Sequence, residues 1–503
     1  MADLLERLTN VERDPEQRCE LLLELAEMRA KVFDSPAVER ALVEAVAQTP
    51  GNLKAFGRFT SFYRGSSGRD NVAYARGLGV VIARGQQLGR VDASWLAVLG
   101  QIEIDHLQRA RDGIAHLQQA VQLDSTLYET RFELARAFVK VQAHDEAVRV
   151  VLGMIAPSST PLLGVKEPAA ALALLEQSLN AERRAEEALV ISELRAIGGD
   201  LDEGRQSWLR SRRLAPIEAH HSQLDRPALV THVLPPEGRH VMLEVAAAVA
   251  GIESKILRAD LTEIGISPRD RVSPRSGHPT RALLDRLSRT LGLADVELVI
   301  TPTVARTRVL AQDTLWVVVP RAVSELPEPS QLASLGRALT RISLGVPWLE
   351  ELPPPHIEAL LIACARQVVH GYGADELDVL SQKLVAQYEP NVARVLSRRQ
   401  RKLLEELAPH IGAPQGRPIQ VDVFIGALAR AELRSAALLT GDLLATLDEL
   451  RGLDASLFRA TDRPGVAALR AVLEHPFAGD VSRYALSGEA IALRRRVGSA
   501  WTG

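Results

Sequence analysis

Cysteine is nearly absent from this 503-residue chain. Only Cys19 and Cys364 occur, far apart, so no disulfide framework can be drawn and a reducing compartment is expected. Aromatic residues make up 4%, while Leu, Ala, Arg and Glu dominate, which favours packed helices over sheets. Neither charge sign is in clear excess: 60 Lys and Arg stand against 63 Asp and Glu. Bulk electrostatics therefore gives no reason to expect a nucleic-acid or acidic-membrane partner. No apolar run approaches the roughly 20 residues needed to cross a bilayer. The opening MADLLERLTNVERD lacks the charged-then-apolar order of a secretory signal. These absences point to a cytoplasmic protein without membrane contact.

Familiar catalytic motifs are missing too. There is no G-x-x-x-x-G-K-[ST], no G-x-G-x-x-G after a strand and no G-x-S-x-G elbow. GSSG at Gly65–Gly68 reads as a turn between helices. The twelve histidines show no metal-ligand spacing. His220 and His221 are adjacent, and His356 and His370 are 14 apart, read here as lying on one helix. Cys364 sits in LLIACARQVV, where a small buried hydrophobe is the expected role.

What the chain has in abundance is helical periodicity. Residues 1 to about 215 read as amphipathic helices joined by short polar turns. Val98 and Phe132, Ile104 and Phe138, Gly113 and Ala147, Leu117 and Val151, and Ala120 and Met154 are each 34 residues apart. A third copy is offset by 41, aligning Phe138 with Leu179 and Ala147 with Ala188 across the insertion SSTPLLGVKEP. This pattern resembles tetratricopeptide repeats, well over residues 90 to 215 and loosely before them. The resemblance implies an α-solenoid of helix pairs that offers a concave surface to a protein partner.

Prolines 227, 235 and 236 break that rhythm, so residues 216–240 read as a linker. Residues 241–450 then read as an α+β domain with a small sheet, and 451–503 as a helical extension with a frayed GSAWTG end. VELVITPTVA from Val296 and TLWVVV from Thr314 are its two best strands. Beyond a polar break at Glu325–Ser330, with Ser330 as expected N-cap, Leu332, Leu335, Leu339 and Ile342 mark a buried helix. The same helix puts Arg337 and Arg341 one turn apart on one face.

This strand, turn and helix resemble the active-site segment of HtpX-like zinc metallopeptidases, with its L-x-H-E-x-x-H-x-x-x-G core. Aligned on Leu335, Leu339, Ile342 and Gly345, the H-E-x-x-H positions are held by Arg337, Ala338 and Arg341. Guanidinium groups offer no lone pair to zinc, and alanine cannot act as a base. The family's third ligand falls at Ala429 and its supporting Asp at Leu433, with Glu432 displaced by three residues. The resemblance thus implies a peptidase shell whose relic cleft, Arg337, Ala338, Arg341 and Glu432, has lost its chemistry. The two arginines could bind a carboxylate or an anionic ligand. The plainer expectation is two exposed arginines on a polar helix side, with Glu432 solvated.

The run Arg394, Arg398, Arg399, Arg401 and Lys402 is followed by Glu405 and Glu406 without interleaved aromatics, so it reads as a solvated face; Arg494–Arg496 is read the same way. The reading is a mainly α, non-enzymatic, bacterial-type scaffold protein. It needs no cofactor and no metal, takes a protein partner on its repeat, and has helix ends on which a second copy could dock. An active zinc hydrolase with other ligands, and a nucleic-acid binder using the basic helix, remain the alternatives.

Overall fold

Capping chemistry sets the rhythm of the N-terminal half. In this computed structural model, which describes residues 1–64, 70–155, 161–213, 224–257, 265–311, 314–412 and 418–499, the first helix α1 (Ala2–Val11) precedes five capped ones. These are α2 (Pro15–Ala30), α3 (Ser35–Gln48), α4 (Leu53–Tyr63), α5 (Asn71–Gln87) and α6 (Ala93–Asp105). Asp14, Asp34, Asn52, Asp70 and Asp92 stand before them in turn, each accepting a hydrogen bond from a first-turn backbone N–H. Each such cap contributes about 1 kcal/mol and fixes where its helix begins. Next come α7 (Ala110–Leu123), α8 (Tyr128–Lys140), α9 (His144–Ile155) and α10 (Pro168–Ala181). The Gly65–Gly68 turn, His220, His221 and the Trp501–Gly503 end lie outside the described residues.

The repeat positions behave alike in space. Leu117 and Val151 are both fully buried, as are Ala120 and Met154, and Gly113 and Ala147 are both buried. Gly113 lies so close to Gly100 that a Cβ added to it would stand 2.5 Å from the Gly100 carbonyl oxygen. Small residues at this crossing let α6 and α7 pack backbone against backbone. A second regularity lies in the turns: Gln108, Gln142 and Arg183 have φ of 57°, 61° and 57°. Their spacings are again 34 and 41 residues. The same left-handed residue closes each turn, although no glycine marks it.

The chain divides into two compact units, Met1–Arg183 and Arg184–Gly503. The boundary therefore lies before α11 (Ala185–Gly198), not near residue 215. α11 belongs to the second unit because it packs on helices near the C-terminal end, while its Leu189 joins Leu201 and Leu209 in a local cluster. Within that unit lie the three segments that composition separates. The stretch read as a linker buries Leu224, Leu229, Val233 and Leu234 in the main core. Its prolines interrupt the helix, but its apolar side chains are fully used. The supposed extension likewise buries Leu469, Val472, Val481 and Val497.

The sheet of the second unit has three strands: β1 (Val296–Thr301), β2 (Arg308–Ala311) and β3 (Leu315–Pro320), in the order β1-β3-β2. β1 pairs parallel with β3, from Val296 opposite Leu315 to Thr301 opposite Pro320, and β2 returns antiparallel. Val317 and Val319 face the main core, while Val318 joins Val299, Leu310 and Ile266 on the other side. Alternation places both faces under cover. The described residues are thus mainly helical with one small sheet.

The second unit also contains α12 (Pro279–Thr290), α13 (Glu328–Ser343), α14 (Pro354–Ala365), α15 (Val421–Thr440), α16 (Leu443–Leu453), α17 (Val466–Glu474) and α18 (Gly488–Val497), of which α12 and α13 touch the sheet. α13 starts at Glu328, with Pro329 in its first turn, so Ser330 lies inside the helix and caps nothing. Proline suits that position because a first-turn N–H would have no partner. The basic run is split by Leu396 and Ser397 between two helices, Val379–Val395 and Arg398–Gly412. Its Arg394, Arg398, Arg399, Arg401 and Lys402 are all exposed.

Candidate functional site

α13 is covered on nearly every side. Its apolar stripe, Leu332, Leu335, Leu339 and Ile342 together with Ala338, enters the main core. The opposite side lies against α15, where Gly336 leaves room: a Cβ there would meet Leu439 at 3.2 Å. Arg337 and Arg341 project into this second contact, with side chains only 4% and 3% exposed. They are not the two exposed arginines expected from the polar side of a helix. Glu432, from α15, is 3% exposed and not solvated.

Glu432 holds Arg341 in a two-pronged bond, accepting from Nε and from Nη2 at 2.8 Å each. Arg341 also donates through Nη2 to Glu350 at 3.0 Å. Arg337 donates through Nε to Glu449 of α16 at 3.0 Å and through Nη1 to Glu350 at 3.3 Å. Its Nη2 reaches the Thr307 carbonyl, in the β1–β2 loop, at 3.2 Å, and Glu432 stands 3.4 Å from Nη1. Two cations are thus enclosed by three carboxylates. Ala429 and Leu433, where the resemblance puts metal-site residues, take no part in these bonds.

Burial favours the neutral forms of Arg341, Arg337 and Glu350, and neighbouring charges overrule it. For Arg341 the desolvation loss is outweighed by Glu432 and Glu350, which keep the guanidinium charged. Arg337 is held likewise, by Glu449 and Glu432. Glu350 would be pushed up by burial, yet the hydrogen bond and charge of Arg341, with Arg337, hold it down to about 2. The stability it contributes is present above its ordinary value of 4.5 and is lost as pH falls toward 2.

Thr340 and Ser435 extend the polar seam, their hydroxyl oxygens 2.6 Å apart, and Ser334 donates to the Thr307 hydroxyl at 2.7 Å. What the arrangement does chemically is satisfy itself. Every strong donor is directed at an acceptor, which is how a buried ionic group is tolerated. A divalent ion placed between the carboxylates would have to displace two arginines. Among the described residues no group of three or more His, Cys, Asp or Glu has metal-holding geometry.

The histidines and cysteines follow simpler rules. His356 is on α14 with its Nδ1 3.0 Å from the Tyr388 hydroxyl, and His370 is in a turn beyond that helix, so the two do not share one. Burial pushes the Cys364 thiol up to about 12, which leaves it a core side chain rather than a nucleophile.

A second buried charge group escaped the sequence reading. Arg494, read as solvated, is 3% exposed and donates to the Gly441 carbonyl at 3.1 Å. Glu193 of α11 accepts from Leu443 N at 3.1 Å, at the start of α16, where Asp442 accepts from Ala445 N at 2.7 Å. Desolvation, and then the charge of Asp442, hold Glu193 well above its ordinary 4.5 despite Arg494. Above that value the folded chain keeps a proton that the unfolded chain releases, so stability falls as pH rises toward the folded value. Glu193→Gln should retain the cap and remove this slope. Its melting temperature should match the parent near pH 4.5 and exceed it at pH 8. Parallel curves for the two proteins would show that Glu193 is not held protonated.

Comparison of the chain with family models, with curated proteins and with solved structures gives no match.

Proposed function

We propose that the chain is a non-enzymatic interaction protein, in which a tetratricopeptide-like unit binds a protein partner and a peptidase-shaped second unit provides a further docking surface. The observation that carries the second half is the Arg337–Arg341–Glu432 contact. Its arginines stand where the resemblance would place zinc ligands, and they already consume the carboxylates a metal would need. The repeat reading is supported by the matched burial of positions 34 residues apart and by the recurrent left-handed turn residues. A row of helix pairs with few long-range constraints is suited to presenting surface rather than to aligning reactive groups.

Two measurements on the purified full chain test this. A protein that co-elutes with it from native cells at fixed stoichiometry, identified by mass spectrometry, is the expected result. Peptide hydrolysis should be undetectable with or without added zinc. Stoichiometric tightly bound zinc, or hydrolysis that a chelator abolishes, would replace this reading with that of a zinc hydrolase.

A further inference from the structure

A groove of about 660 Å³ opens on the first unit, lined by α5, α6, α7 and the α6–α7 turn. Its floor includes Leu99 and Glu103 of α6, both buried. Its rim is one stripe of α5, exposed at Val72, Arg76, Gly79, Ala83 and Gln86. That stripe covers about four turns, or roughly 20 Å of helix. In its middle the side chains are minimal, and a Cβ added to Gly79 would meet nothing within 4 Å. Another backbone can therefore come close there, while Val72, 68% exposed, waits at one end.

Arginines outnumber carboxylates in the lining of the groove. Glu103 is hydrogen-bonded to His116, whose Nδ1 stands 2.7 Å away. Arg76 and Arg109 line the same groove and form no ion pair among the described residues. Two guanidinium groups in a trough of mixed polar and apolar lining suit carboxylates carried on an amphipathic helix. The first unit has no described strand, so it offers no sheet edge to an extended peptide.

We propose that this groove binds an amphipathic, acidic helix of a partner protein. The inference rests on the interaction reading above and names the surface and the chemistry of what it takes. The probe is a library of 16-residue linear peptides displayed on phage and selected on the full chain. Enriched sequences should carry apolar residues at three- and four-residue spacing flanked by Asp or Glu. The best of them, as a synthetic peptide, should bind about tenfold more weakly to the Arg76→Glu/Arg109→Glu variant. Gly79→Gln fills the trough where the fold has open space, so it should weaken binding comparably while the melting temperature stays at or above the parent's, since glutamine is the better helix former. No enrichment, enriched sequences without acidic residues, or binding untouched by both variants would overturn the proposal. If a native partner co-elutes equally with parent and variants, the groove fails while the interaction reading survives; if none co-elutes even with the parent, the broader reading fails.

Discussion

Replacing Arg341 with alanine should destabilise the second unit by about 3–5 kcal/mol, because it leaves a buried carboxylate without its main partner. Glu432 is 3% exposed and receives both prongs of the Arg341 fork. Without them its nearest cation is Arg337 at 3.4 Å, already engaged with Glu449 and Glu350. Arg341→Lys should fall between parent and alanine, since an ammonium keeps the charge but cannot make two parallel bonds. Removing the pair together, as Arg341→Met with Glu432→Leu, should recover most of the loss, because no orphaned ion then remains. Urea denaturation of the four proteins measures this ordering. A single Arg341→Ala loss below about 1 kcal/mol would match an exposed pair and contradict the burial.

The largest effect in the first unit should come from Gly113→Leu. A Cβ at Gly113 would stand 2.5 Å from the Gly100 carbonyl oxygen and 2.6 Å from Ile104 Cγ1. The nearest obstacle is backbone, so no rotamer change makes room and α6 must move from α7. Overpacking costs about 1–3 kcal/mol, and an obstacle of backbone puts this case at the upper end. Gly153, on α9, is the control, since a Cβ there meets nothing within 4 Å. Gly153→Ala should gain up to about 1 kcal/mol through helix propensity alone. Thermal unfolding followed by circular dichroism separates the two, and equal melting temperatures would mean that α6 and α7 do not touch at these glycines.

Much of the framework was legible from periodicity. The strands at Val296 and Leu315 announce themselves as short β-branched runs, and α13 as a stripe from Leu332 to Ile342. The small–large alternation at 113, 117 and 120 against 147, 151 and 154 located two helix pairs. The site was misjudged for a physical reason. A helix with one apolar stripe is ordinarily wet on its other side, and only a partner 91 residues away could reveal that Arg341 is covered. The same limit hid Arg494, whose neighbours Glu193 and Asp442 are remote in sequence. The domain boundary was displaced because prolines 227, 235 and 236 signal a break in helix regularity, not a break in the core. Burial of Leu229 and Val233 beside them is invisible to residue composition.

The placement of α11 has a consequence for the order in which the protein can be made. Glu186 bonds to Arg495 across 309 residues, and Glu193 to Leu443 across 250. Contacts of the first unit run chiefly between neighbouring helices, so that unit can fold while translation continues. The second must hold its opening helix in waiting until Arg495 has left the ribosome. During that interval the side of α11 that packs on the later helices has no finished core to enter, and a chaperone that shields nascent apolar segments would find it there.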